Sequence, residues 1–379
     1  MPTPTLTPAA DNRVDPEIDT RLRGLLARAV TRSGLHHVTM AVLQGDGHQR
    51  WRGAGGPAGP DGSPLRPETP FFIASITKRF IGTLVLQAHE QGELDLDHPA
   101  AAYLPSGTLD GLHVHRGVEH TSSITIRHLL SHTSGLPDYF EHSKGAPNLF
   151  RQLAQGSDQT WTFDDVLRIT REEQRPHFAP QDLTAATQRA RYSDTGFQVL
   201  IAIVSSATGR CFDELLHTRI LRPLGLQHTW LPGGAGPTAS TPAPARIHRK
   251  DRALDLPGMI VSSNDLMSTT EDLLRFQRAL LAGELFASPT TVGLLTERSN
   301  LLRNMVPLRY GLATMGMRVG RLNGPGRRPV TLLGHAGVTG TWLFHCPELD
   351  LHLAGSVDQA TGRRAPFRLM ARMLQAWHG

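Results

Sequence analysis

The chain has 379 residues, 39% of them hydrophobic and 19% charged, with a formal net charge of +5. That is enough chain to bury a substantial core, and no apolar stretch reaches the length a bilayer-spanning helix needs. No basic run is interleaved with aromatics, so neither a nucleic acid nor a membrane is an expected partner.

The first residues, Met1-Pro2-Thr3-Pro4-Thr5-Leu6-Thr7-Pro8, lack the basic n-region and apolar h-region of a secretory signal. A cytoplasmic location is the expectation, and residues 1–14 read as a flexible tail. From Asp15 onward Ile18, Leu22, Leu25, Leu26, Ala29 and Val30 recur with the helical period, up to Ser33-Gly34. Two strand-like runs, 37–44 and 48–53, meet at Gly45-Asp46-Gly47, which is a hairpin signal. A Gly/Pro-rich loop, 53–70, then leads to a helix over 75–91. Ile81, Leu84, Val85 and Ala88 share one face of it, and Gly92 stops it. The middle of the chain reads as helical at 126–131, 163–173 and 195–208, with Pro/Gly-rich spacers such as 231–244. A further helix runs from Thr270 to Leu281. The period then changes: 310–319, 330–334, 339–346 and 351–357 are strand-like, and 365–377 is a closing helix.

Strands at both ends with helices between them predict an α+β fold (an α/β sandwich). In it one antiparallel sheet, flanked by helices, is built from 15–90 plus 245–379. A mainly helical domain, 91–244, is inserted, and the active site lies between the two. Cys211 and Cys346 are too few and too far apart for a disulfide framework and read as buried, reduced thiols.

Three short segments can carry chemistry. Ser75 and Lys78 stand at i and i+3, which on a helix places both side chains on one face, about 5–6 Å apart at Cβ. Unpaired amides at a helix start stabilise an oxyanion and disfavour an ammonium. A lysine used as a base near pH 7 must be depressed from about 10.4, so Lys78 is expected to be buried. Only three of the 39 cationic residues are lysines, Lys78, Lys144 and Lys250. Lys78 is thus one of the few cationic groups here able to give up a proton. The alternative is an N-cap serine followed by a solvated lysine. Tyr192-Ser193-Asp194 precedes the helix over 195–208; a tyrosine near a lysine can act as base and then acid. Its alternative is a packed tyrosine with Asp194 as N-cap. Gly334-His335-Ala336-Gly337 opens a strand-like run, where glycine permits close approach to a ligand. The Val338 amide could then join the Ser75 amide as an oxyanion hole.

Taken in order, Ser-x-x-Lys, Tyr-x-Asp and His-x-Gly resemble the serine penicillin-recognising enzymes, and most closely the class C β-lactamase-like branch. That branch also holds D,D-carboxypeptidases, D-aminopeptidases, family VIII esterases and biosynthetic acyltransferases. The resemblance extends to His128-Leu129-Leu130-Ser131-His132-Thr133-Ser134-Gly135-Leu136-Pro137, to Pro223-Leu224-Gly225-Leu226 with Thr229, and to Ser268-Thr269-Thr270-Glu271-Asp272-Leu273. It implies Ser75 as nucleophile, Lys78 as proton acceptor and Tyr192 as the base and acid linking attack to departure. Ser75 and Val338 supply the oxyanion amides, and Asp194, His335 and Gly337 meet the substrate. His335 stands where many relatives have lysine, and Asp194 where they have asparagine. An ionised Asp can only accept, which disfavours ordinary penicillins. Asp194 is expected either to pair with Lys78 or to receive a substrate amine.

The resemblance implies a hydrolase of small ester, amide or peptide substrates of esterase or D-amino-acid peptidase type. The second reading is an acyltransferase or peptide cyclase using the same serine; a resistance enzyme or D,D-carboxypeptidase ranks below both. Other chemistries find less support. His128 and His132 have the spacing of a helical zinc motif, but Leu129 replaces its glutamate. His113, His115 and His120 cluster on a loop and read as solvated. No Gly-x-Ser-x-Gly elbow or phosphate-binding glycine loop is present. No cofactor or metal is expected.

Overall fold

A computed structural model describes residues 5–32, 35–59, 62–140, 148–320, 328–360 and 362–378. The expected helix stop at Ser33-Gly34 lies outside the described residues.

A nine-stranded antiparallel sheet organises the molecule. Its strands are β1 (Leu6–Pro8), β2 (Val38–Gln44), β3 (Arg50–Gly55), β4 (Asn300–Leu301), β5 (Arg309–Tyr310), β6 (Met315–Val319), β7 (Val330–Ala336), β8 (Thr341–Cys346) and β9 (Leu351–Ser356). They lie in the order β1-β3-β2-β9-β8-β7-β6-β5-β4. Strand β9 joins the two ends of the chain, pairing Cys346 with Leu351 on one side and Gln44 with Leu351 on the other.

The expectation of a tail over 1–14 is corrected here: Leu6, Thr7 and Pro8 pair with Gly55, Ala54 and Gly53 at the sheet edge. The stretch expected to be one strand over 310–319 is two, β5 and β6, because the chain turns at Ala313 with φ 46°.

Helices α1 (Pro16–Arg32), α2 (Thr77–Glu90), α3 (Ile126–Leu130), α4 (Asp194–Thr208), α5 (Thr270–Leu281) and α6 (Ala365–His378) cover the sheet or pack on those that do. α1 is fixed by its apolar stripe and by Trp51 Nε1, which donates to Asp19 at 2.9 Å. Thr269 caps α5 by accepting from the Asp272 amide. Asp272 in turn accepts from Thr229 Oγ1 at 2.8 Å, so these motif residues are structural.

α2 differs from its amphipathic reading. It is buried all round from Thr77 to Ala88, because it packs against both α4 and strand β7. Its polar residues find partners inside: Arg79 bonds Thr314 and Gln277, and Gln87 donates to the Leu285 carbonyl at 2.8 Å. Phe80 stacks on Phe276 of α5 at 3.8 Å between ring centroids. One apolar cluster runs from Leu22 of α1 through α2 to Ile203 of α4, so the sheet and these helices share a core. The cysteine expectation holds only for Cys346; Cys211 is exposed, and both are free thiols.

Candidate active site

Ser75 lies in a 3₁₀ turn, Ala74–Ile76, and not in the α-helix itself, which starts at Thr77. Ala74 holds φ 48°, an unfavourable angle for a residue with a Cβ. Strand β7 presses on this turn from the other side. A Cβ at Gly337 would stand 2.8 Å from the Ala74 Cβ and 2.9 Å from the Ile73 carbonyl. Glycine at 337 is therefore needed for the approach of β7 to the serine turn, a packing role; the residue also lines the pocket.

The three segments singled out in the sequence converge here. Lys78 Nζ donates to Ser75 Oγ at 3.3 Å, and the Tyr192 hydroxyl hydrogen-bonds the Ser75 side chain. Ser75, Lys78, Tyr192, Asp194, Gly337 and Val338 all line one pocket, at the junction of α2, α4 and β7. Tyr192 is held from behind through its backbone. Its amide donates to Asn304 Oδ1 at 3.0 Å, and the next amide, of Ser193, donates to His132 Nδ1 at 3.3 Å. His132 thus braces the tyrosine segment from the end of α3 and is no half of a zinc pair. His128 meanwhile closes the capping box of α3 with Thr125.

Asp194 answers one of the open alternatives: its carboxylate pairs with Lys78. The consequence runs against the expectation of a depressed lysine. Burial by itself lowers the lysine, but the carboxylates of Asp194 and Asp265 outweigh it and hold Lys78 above its ordinary value. Burial, and after it the Asp194 charge, hold the Tyr192 phenol well above its own. Both groups that could take the Ser75 proton are therefore protonated at neutral pH.

Asp265 and Asp138 also line the pocket, and the sequence reading missed both. Burial pushes the Asp265 carboxyl up to about 7 against the pull of Lys78, and it hydrogen-bonds Thr77. Neither carboxylate belongs to a segment with a chemical spacing. Their signal in the sequence is only their place near two motif segments, Asp138 directly after Pro137 and Asp265 three residues before Ser268.

His335 is the clearest correction among the site residues. It is fully buried and lies behind the pocket wall formed by Ala336, Gly337 and Val338, out of reach of a substrate. Its Nδ1 faces the Ala336 carbonyl at 3.0 Å and its Nε2 faces the Tyr310 hydroxyl at 2.9 Å. A carbonyl only accepts, so Nδ1 carries the hydrogen and Nε2 accepts from Tyr310. Burial and the nearby Lys78 keep this imidazole neutral, its pKa well below the usual histidine range. Tyr310 in turn meets Tyr192 edge to face, ring centroids 6.1 Å apart. Tyr310 is thus a positioning residue that the sequence reading missed. Tyr310→Phe is expected to lower kcat about tenfold with KM nearly unchanged, because a buried acceptor on His335 is left unpaired and the tyrosine stack loosens. Steady-state kinetics over pH 6–10 checks it; a change confined to KM would contradict the positioning role.

The expectation of a solvated histidine cluster fails at His113, which is buried. His113 Nε2 and His115 Nδ1, from the histidine cluster of the sequence, instead meet the Phe178 and Pro176 carbonyls at 3.0 and 3.1 Å. Among the described residues no helix is long and apolar enough to cross a membrane.

A model of the family described as Beta-lactamase matches residues 22–376. The D-alanyl-D-alanine-carboxypeptidase/endopeptidase AmpH of Escherichia coli K12 is 26% identical over 318 residues, which are 82% of this chain and 70% of that protein. The D-amino acid amidase of Ochrobactrum anthropi SV3 shares the fold with a TM-score of 0.74 at 22% identity, over 95% of this chain and 98% of that one. EstCE1, described as a hydrolase with promiscuous acyltransferase activity, superposes with a TM-score of 0.76 at 18% identity, over 96% and 99%.

Proposed function

The chain belongs to the Beta-lactamase family, and from that premise we propose that Ser75, Lys78 and Tyr192 carry out its acyl-enzyme chemistry. The molecule is a serine hydrolase of ester or amide bonds. The observation that carries the assignment is the contact of Lys78 Nζ with Ser75 Oγ at the base of the pocket that Tyr192 also lines.

Ser75 Oγ attacks the substrate carbonyl as its proton passes to Lys78, once that lysine is neutral. The amides of Ser75 and Val338 hold the oxyanion, a contribution typically of about 3–4 kcal/mol per donor. Tyr192 hands a proton to the leaving nitrogen or oxygen as the carbonyl re-forms and the bond to the leaving group breaks. Water, activated by the same pair, then attacks the acyl-enzyme and frees Ser75.

For the substrate we favour an amide with a free amino group and an apolar side chain. Phe72, Tyr139, Phe140 and Met259 line the apolar part of the pocket, and Asp138 and Asp265 give it negative charge. The likeness to a D-amino acid amidase supports this reading. Transfer of the acyl group to an amine is the second reading, supported by the likeness to EstCE1. A panel of D- and L-aminoacyl p-nitroanilides, their N-acetyl forms and p-nitrophenyl esters, assayed with and without added amine, separates these. We expect N-acetylation to lower kcat/KM about tenfold or more through loss of the charge-assisted contact. An unchanged or higher value sinks the ammonium reading, and amide product formed from ester plus amine establishes transfer.

A further inference from the structure

Strands Val114–His115 and Val118–Glu119 form a small hairpin that turns at Arg116 and Gly117, with φ 54° and 82°. His113 and His115 fasten it, through the two carbonyl contacts above, to the segment after a π-helical turn, Ile169–Glu173. Such turns are rare and recur at functional positions. Between hairpin and turn lies a cleft of about 510 Å³, lined by Arg116, Arg171 and Arg175 together with Thr170 and Gly111.

The charge here is one-sided. Among the described residues no carboxylate lines the cleft. Of the acidic groups near these segments, Glu173 accepts from Arg168 at 2.8 Å, and Glu119 accepts from the Thr121 amide at 3.1 Å. Arg171 donates through Nη2 to the Thr108 carbonyl, which leaves its Nε buried without a partner. Arg175 spends one nitrogen on the Gln174 carbonyl, and Arg116 is exposed at the hairpin tip. Three guanidinium groups on one lining that carries no carboxylate repel one another, and an oxyanion of two or more charges relieves that repulsion. Their forked N–H groups match the paired oxygens of a phosphate or carboxylate.

We propose that this cleft binds a small multivalent oxyanion, of the phosphate or polycarboxylate type. The site backs onto the catalytic pocket. Thr170 Oγ1 lies 3.2 Å from Thr195 Oγ1, next to Asp194, and Gln174 Nε2 donates to the Asp138 carbonyl at 2.7 Å. Neither of those contacts involves the three arginines.

Isothermal titration of the full chain with inorganic phosphate and, separately, with citrate tests the site, ionic strength being held constant with sodium chloride. Saturable binding of at least one anion is expected, and the stronger of the two names the source. Arg116→Ala and Arg175→Ala should each weaken it about tenfold, the loss expected for a charge-assisted contact. Both side chains are exposed, so circular dichroism and ester hydrolysis of the variants should match the parent. Absence of saturable binding to the parent chain, or binding unchanged in the double variant, overturns the proposal.

Discussion

Ser75→Ala is expected to lower kcat/KM for every substrate the enzyme turns over by at least about 10⁴-fold, while leaving the fold intact. The size follows from the number of roles one oxygen fills. It is the attacking atom, the acceptor of the Lys78 hydrogen bond at 3.3 Å and the partner of the Tyr192 hydroxyl. Groups that act as a unit lose nearly their whole effect when one is removed. The side chain is small and half-buried at the pocket floor, so alanine leaves little void and stability should change by less than about 1 kcal/mol. Mass spectrometry of enzyme quenched during turnover should place an acyl adduct on Ser75. An adduct on another residue, or a variant retaining a tenth of the activity, would remove Ser75 from the mechanism.

Asp194→Asn should have the second largest effect, in the opposite direction at neutral pH. Lys78 must be neutral to accept the Ser75 proton, since an ammonium has no lone pair. Its burial favours neutrality, but its contact with Asp194 and the field of Asp265 favour the cation and prevail. Because the pKa is held high, the active fraction falls about tenfold per pH unit below it, and the parent enzyme should work best in the alkaline range. Taking away one contact charge typically moves a pKa by about 1–3 units. The rising limb of the kcat/KM profile should move to lower pH by that amount, and the rate at pH 7 should rise at least about tenfold. The same substitution leaves the buried ammonium with less compensation, so a loss of stability is expected alongside. A slower variant whose rising limb has not moved would mean that Asp194 serves the chemistry in some other way.

The resemblance fits this picture in part. The resemblance implies an amide at the position of Asp194, whereas the carboxylate here binds the lysine more tightly in its protonated form. Asp265 sharpens the point. With its carboxyl pushed up to about 7, it changes charge across the neutral range, and its protonation removes one of the two charges that hold the lysine proton. As pH rises through neutrality the Asp265 carboxyl ionises and holds the lysine proton more firmly, so the rising limb should be shallower there than that of a lone Ser-Lys pair, while Asp194 moves the whole limb to higher pH. The profile of Asp194→Asn should therefore keep a residual inflection from Asp265, moved to lower pH because the Asp194 charge that helps to raise it is gone.

Much of the molecule was legible along the chain because its causes are local. The strand-like runs at 37–44, 330–334 and 351–357 and the helical stripe of α1 follow from which residues must face the core, and so does the joining of both chain ends in one sheet. The meeting of Ser75 with Lys78 follows from an i, i+3 spacing, and the place of Tyr192 from its position just before α4. Tertiary structure decided what local pattern cannot. The edge strand Leu6–Pro8 exists only because β3 offers it free backbone groups. His335 turned away from the substrate because Tyr310, on a strand two places along the sheet, offered it a buried hydroxyl. The protonation of Lys78 was set by Asp194 and Asp265, brought to it from distant segments. A spacing fixes which side chains share a face; charge states depend on every group within a few ångströms in space, and only folding brings those groups together.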